Sequence, residues 1–265
     1  ELREDGGEIE AALDGRLPAL LSPADIRGDL QMHTTWSDGA HSLAELAEGV
    51  RAKGYQYMAV TDHSKSATVA GGMKAEQVRQ MIAEVRALNR GLKGFRILAG
   101  CEVDIKADGS LDYPDDILRQ LDLALVSVHS RFKMTREEMT ARIVRALQHP
   151  LVHMLGHPTG RLIGERGAYE LDMEAVLQAA RAAGVAVEIN ASPSRLDLND
   201  LHARRAKELG IPIAINTDAH TIGQLDYMRF GVSVARRGWL TPADILNTWP
   251  EKQLVAWLEK KRSGR

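Results

Sequence analysis

The chain has 265 residues, 44% of them hydrophobic, with 34 basic and 36 acidic side chains and a net charge of −2. That length suits one large α/β domain or two smaller ones with a sizeable core, and the near-balanced charge argues against a generic basic grip on nucleic acid. The single cysteine, Cys101, excludes an internal disulfide and fits a reducing cytoplasm, no apolar run approaches the roughly 18 residues of a membrane span, and no signal peptide is visible.

Residues 1–27 are charged and punctuated by Gly and Pro, with a short helical stretch at Ile9–Leu13. The sequence starts at Glu1 without a methionine, so this stretch reads as a linker or outer wrap in a piece of a longer protein. Asp29–His33 is the first predicted strand. A helix follows over Leu43–Lys53, opened by Ser42 as N-cap with Glu45 three residues on. The second strand is Tyr57–Thr61. Lys74–Asn89 is helical, with Val78, Met81, Ile82, Val85 and Leu88 on one face. Arg96–Ile105 is the third strand, and Leu121–Val128 is a continuous apolar run of the kind buried on both faces. Arg136–Gln148 is helical, Val152–Leu155 extended, Met173–Ala183 helical and Val185–Ile189 extended. Asn199–Leu209 is helical, Ile211–Asn216 extended, and Pro242–Asn247 and Glu251–Lys261 close the chain as helices.

Strictly alternating strand and helix signals predict a parallel sheet, and about seven units favour closure into a barrel. A doubly wound open sheet is the alternative. There is no Gly-rich phosphate loop, internal repeat or low-complexity tract.

Five of the nine histidines fall at the ends of apolar strand-like runs, among acids: His33, His63, His129, His157 and His220. An isolated buried histidine is more often a core residue than a ligand. Five such clusters at the C-terminal ends of predicted strands are different, because parallel strands converge there. Burying that many imidazoles and carboxylates without a compensating ion is costly. The pattern predicts a multi-metal site.

The motifs Asp29-Leu30-Gln31-Met32-His33-Thr34 with Ser37-Asp38-Gly39, Val60-Thr61-Asp62-His63-Ser64, Gly100-Cys101-Glu102-Val103, Ser127-Val128-His129-Ser130, Gly156-His157-Pro158-Thr159-Gly160-Arg161, Glu188-Ile189-Asn190 and Asn216-Thr217-Asp218-Ala219-His220 carry a resemblance. Together they resemble the PHP (polymerase and histidinol phosphatase) domain, most closely the C-terminal PHP domain of bacterial family X DNA polymerases. Residues 1–10 resemble the junction with the polymerase part of that family. The resemblance implies a domain over residues 28–265 and a junction over residues 1–27. It implies a distorted (βα)7 TIM-like barrel with up to three divalent ions, Mn²⁺, Zn²⁺ or Fe²⁺, at the strands' C-terminal ends. One ion would be held by Gln31, His33, Glu102 and Asp218, a second by Glu102, His129 and His157, a third by Asp38, His63 and His220. Most such domains have histidine where this chain has Gln31. An amide is the poorer ligand for a transition metal, so the first site is expected to be weaker.

The activity implied is a DNA phosphoesterase, chiefly a 3′→5′ exonuclease, with 3′-phosphatase or abasic-site cleavage as further activities. The partners implied are single-stranded or gapped DNA 3′ ends and an N-terminal polymerase domain, with no membrane partner, in a bacterial cytoplasm at the nucleoid. Asp62, Glu102 and Asp218 are the candidate catalytic carboxylates, Asp62 orienting His63 or moving a proton. Lys65, Arg131, Arg161 and Arg195 follow strand ends and are candidates to grip phosphate. Trp36 is a candidate base-stacking residue, and Cys101 reads as core filler. Two rival readings are a small-molecule phosphatase of histidinol-phosphate type and a catalytically weak structural module.

Overall fold

The computed structural model describes residue 2 and residues 5–263. Seven parallel strands run in chain order around a barrel: β1 (Gly28–Asp29), β2 (Tyr57–Val60), β3 (Arg96–Asp104), β4 (Leu123–Ser127), β5 (Met154–Leu155), β6 (Ala186–Asn190) and β7 (Ile213–Asn216). Helices α1 (Glu8–Leu13), α2 (Leu43–Ala52), α3 (Ala75–Asn89), α4 (Asp115–Leu118), α5 (Arg136–Leu147), α6 (Met173–Ala183), α7 (Asp200–Glu208), α8 (Met228–Arg237) and α9 (Glu251–Arg262) complete it. The barrel, rather than the open sheet, is the architecture.

The strands are mainly apolar because both faces are covered, with polar residues such as Glu102, Glu188 and Asn216 buried toward their C-terminal ends. Leu30, Tyr57, Ala59, Leu98, Leu123, Leu125, Met154, Ala186 and Ala214 form one buried cluster, which Leu246, Leu254 and Leu258 join. Alternate strand residues, among them Met58, Val60, Ile97, Val126 and Ile213, belong to the second cluster, packed with α2, α3, α5, α6 and α8. Ser42, Thr135, Asp172 and Asn199 cap their helices with side-chain acceptors, which fixes where four of them start.

The barrel is distorted where β7 meets β1. In place of a ladder, single bonds close the seam: His33 N–H donates to the Ala219 carbonyl at 2.9 Å and Asp218 N–H to that of Gln31 at 3.1 Å. The Asp29 carboxylate accepts from the Thr217 hydroxyl at 2.5 Å. Asn247 stands in for a strand, its Oδ1 accepting from Ile215 N–H at 2.7 Å and its amide donating to the carbonyls of Gly28 and Ile215. This is why the first strand is shorter than Asp29–His33. Beyond Asp29 the backbone leaves the ladder and Met32 bridges Ala219 alone.

The segment expected to be helical at Pro242–Asn247 is two 3-10 turns, Pro242–Asp244 and Leu246–Thr248. Helix α8 was not expected from the sequence. It carries Gly231 and three β-branched or hydroxyl residues, Val232, Ser233 and Val234, which weaken its local signal. No described helix is long and apolar enough to cross a membrane.

Candidate metal centre

Six of the seven strands bring candidate ligands to the C-terminal end of the barrel, five of them just past the strand's end. β1 leads to His33 and Asp38, β2 to His63, β4 to His129, β5 to His157 and β7 to Asp218 and His220, while Glu102 and Asp104 lie on β3 itself. The backbone is bent to do so: His157 has φ 25° and Asp218 φ 54°, both in the left-handed region that non-glycine residues avoid.

Glu102 lies at the centre, almost wholly buried. Its two oxygens stand 2.7 Å from His157 Nε2, 3.3 Å from His129 Nε2, 3.3 Å from His63 Nδ1 and 3.5 Å from His33 Nε2. Asp218 is 2.9 Å from His33 Nε2, and Asp38 is 3.3 Å from His220 Nε2. The imidazoles form a train, with His33 stacked on His63 at 4.5 Å and on His220 at 4.2 Å.

Three overlapping groups have ligand atoms spaced to hold a metal ion: His33, Asp38, His63 and His220; His63, Glu102 and His129; and His33, Glu102 and Asp218. The donors fit such ions. Among the described residues the buried Nδ1 atoms of His33, His63 and His157 have no hydrogen-bond partner, and those of His33 and His63 lie near carboxylates, as a metal ligand's nitrogen does.

The charges reflect this crowding. Burial opposes the Glu102 charge, but His129 and His63 hold the carboxyl well below its usual range. Burial also works against a charge on His129, yet Glu102 and Asp104 push it up to about 10. His220 rises against burial to about 9, drawn by Asp38 and Asp218. For His63 burial prevails over the pull of Glu102, and its imidazole falls to about 4.

Of the other expected site residues, Arg195 alone lines the cavity. The Gln31 side-chain amide lies against the Glu188 carboxyl, and with its nitrogen turned toward that group it would donate to both oxygens. Asp62 is buried and accepts from Thr34 N–H at 2.8 Å, the Thr34 hydroxyl at 2.7 Å and the Ser37 hydroxyl at 2.6 Å, which fixes the loop after β1. Arg195 lines the cavity with its Nε 3.5 Å from Asp218. Arg161 donates instead to the carbonyls of Arg195 and Leu196. Lys65 and Arg131 are exposed in loops of the mouth. Trp36 donates to Glu84 at 2.7 Å and packs on the core. Cys101 is buried, its Sγ 3.0 Å from the Asp62 carbonyl, as filler would be.

Two carboxylates beside the candidate ligands were given no role by the sequence: Asp104 was passed over, and Glu188 entered only within a motif. Asp104 Oδ1 lies 2.6 Å from His129 Nδ1. Glu188 is fully buried and accepts from His157 N–H at 2.7 Å and from the Asn216 amide at 2.8 Å. Burial, with the charges of Asp218 and Glu102 adding, pushes its carboxyl well above the usual range. A signal existed for Asp104. It stands two residues after Glu102 on a strand, and so on the same face.

A family model described as the PHP domain matches residues 29–192. The chain belongs to the PHP family. This PHP chain is 45% identical over 98% of its length to DNA polymerase/3′-5′ exonuclease PolX of Bacillus subtilis, of which it spans 45%. A probable phosphatase of Thermoanaerobacter sp. (strain X514) is 30% identical over 88% of the PHP chain and 96% of its own length. The fold also matches histidinol phosphate phosphatase of Lactococcus lactis, solved with zinc, L-histidinol and phosphate, with a TM-score of 0.59 at 16% identity over 80% of this chain and 93% of that one.

Proposed function

We propose that this chain is a metal-dependent phosphoesterase acting on DNA, chiefly as a 3′→5′ exonuclease. The observation that carries the reading is the buried Glu102 carboxylate with four imidazole nitrogens within 3.5 Å. Several carboxylates and imidazoles converge there, and a bound cation would take the place of the protons that His129 and His220 otherwise hold, leaving their lone pairs as ligands. A first ion would sit among His33, Glu102 and Asp218. A second would lie between Glu102 and His129 with His63 and His157 beside it, and a third among Asp38, His63 and His220. Mixed imidazole and carboxylate donors suit Mn²⁺, Zn²⁺ or Fe²⁺. Gln31 is left outside this set in this reading, because its amide lies against Glu188.

Divalent ions held there supply a water nucleophile near neutral pH and polarise phosphate oxygens. The chain's own residues do the rest. The Arg195 guanidinium faces the cavity and can take a phosphate oxygen. Lys65, Arg131, Lys133, Arg161 and Arg166 occupy the mouth's loops, and among the described residues none of them pairs with a carboxylate. Cations in the loops that follow the strand ends, beyond an anionic floor, suit a polyanion whose backbone lies across them.

The DNA reading rests on the Bacillus subtilis relative, whose name carries the exonuclease. A polymerase region of the same full-length protein is the proposed partner. A phosphatase of histidinol-phosphate type is the second reading, favoured by the Thermoanaerobacter relative, which this chain spans almost end to end.

The test is digestion of a 5′-labelled single-stranded oligonucleotide with Mn²⁺, beside His129→Ala and beside histidinol phosphate. A ladder of shortened products, lost in the variant, is expected. Phosphate release from histidinol phosphate without a ladder would select the second reading.

A further inference from the structure

The loop between β2 and α3 has features that metal binding does not explain. Its stem is closed where Met73 N–H donates to the His63 carbonyl at 2.8 Å and Ser64 bridges Met73. Gly72 is dictated by that closure, since a Cβ there would overlap the Ser64 carbonyl oxygen. Ser66 anchors the loop outward, its N–H and hydroxyl donating to the buried Asp112 carboxylate at 2.7 and 2.6 Å. Between these fixed points Thr68–Ala70 forms one 3-10 turn.

The anchored turn holds Val69 fully in solvent, at 104% of the reference exposure, where it packs against nothing. It is not remote surface. Ser66, Ala67, Thr68, Val69 and Ala70 form one continuous wall of the cavity that contains Asp38, His63, Glu102, His129 and Asp218. Arg195 and Ser130 also line it. The cavity therefore joins an ionic floor to an uncharged wall of small and apolar side chains. Its volume of about 540 Å³ falls within the range of organic-ligand sites and leaves room well beyond one phosphate group.

We propose that this lip is the subsite for the non-phosphate part of the substrate. The sugar and base edge of the terminal nucleoside rest on Ala67, Val69 and Ala70 while the scissile phosphate lies over the histidine and carboxylate cluster. The inference rests on the phosphodiesterase reading and deepens it: an uncharged, preformed wall takes any of the four bases, as a sequence-tolerant exonuclease requires. Burial of an aliphatic side chain that is otherwise wet supplies the affinity.

The experiment compares Val69→Ser and Val69→Leu with the parent protein in Mn²⁺ on a single-stranded oligonucleotide and on methyl 4-nitrophenyl phosphate, a diester that carries no nucleoside. The oligonucleotide-to-small-diester ratio of kcat/KM is expected to fall about fivefold in Val69→Ser, through KM, and to recover in Val69→Leu. An unchanged ratio in Val69→Ser, with the parent active on both diesters, would overturn the lip assignment alone. A parent inactive on both diesters would overturn the phosphodiesterase reading and the subsite with it.

Discussion

At the residue scale, Asp104 and Gln31 show what lies one bond behind the candidate ligands. Asp104 meets His129 at Nδ1, which leaves Nε2 facing Glu102. A carboxylate that fixes the tautomer and angle of a ligating imidazole typically accounts for a factor of 10–100 in metal affinity. Asp104→Asn is expected to raise the Mn²⁺ Kd by about that factor, read by titration calorimetry, with a thermal midpoint in excess chelator close to the parent's. An equal loss of thermal stability and of affinity would mean that Asp104 merely supports the fold. Gln31 makes the opposite case. Its amide lies against the buried Glu188 carboxyl, so Gln31→Ala leaves that group short of a hydrogen-bond partner, which costs roughly 1–3 kcal/mol. For a chain of this length that corresponds to a midpoint lower by about 2–12 °C, with unchanged metal content by atomic emission. Lower metal content at an unchanged midpoint would instead place the amide oxygen on an ion.

At the scale of elements, Gly231 shows how a packing demand can override local preference. Mid-helix glycine is about 1 kcal/mol worse than alanine, so Gly231→Ala would stabilise an exposed helix. Here α8 lies so close to the barrel that a Cβ would overlap Ile215 Cγ2 and stand 2.8 Å from Ala191 Cβ. Overpacking of that kind costs about 1–3 kcal/mol and outweighs the propensity gain, so a net loss in the urea midpoint is expected. The same demand explains why α8 was illegible in the sequence. Its glycine answers to β7, not to its own neighbours in the chain. Elements whose signals are local were legible: the Ser42 and Glu45 capping box starts α2, and Met173–Ala183 carries apolar periodicity with Asp172 as N-cap. β2, β4 and β7 read clearly because each is apolar along nearly its whole length. The histidines and acids at their ends stood out because polar residues there contradict burial. The pairings of Ser66 with Asp112 and Gln31 with Glu188 span long stretches of chain, and nothing local announces them.

Across the whole molecule, the two ends of the barrel use histidine in opposite ways. At the mouth, imidazoles gather around Glu102. At the floor, His153 is fully buried between β4 and α9, and it has no carboxylate partner among the described residues. Its Nδ1 accepts from Ala124 N–H at 3.1 Å, and its Nε2 lies 3.2 Å from the Leu258 carbonyl, which assigns the proton to Nε2. Burial, against a weaker pull from that carbonyl, lowers the imidazole to about 4. In the unfolded chain it titrates near 6.5. Above pH 6.5 both states hold it neutral and its contribution is fully present. As the pH falls toward 4 the unfolded state takes the proton first, and up to about 3 kcal/mol of stability is lost. The cluster at the mouth also titrates, but it lies at the other end of the barrel, so its share is common to parent and variant and cancels in their difference. His153→Gln, which keeps a donor for Leu258, is expected to be the less stable protein at pH 7.5. It should lose less stability than the parent between pH 6.5 and 4.5, so that the two urea-midpoint curves converge in acid. Curves that stay parallel over that range would mean that His153 binds protons equally in the folded and unfolded states, and that acid opens the barrel from its metal-binding end.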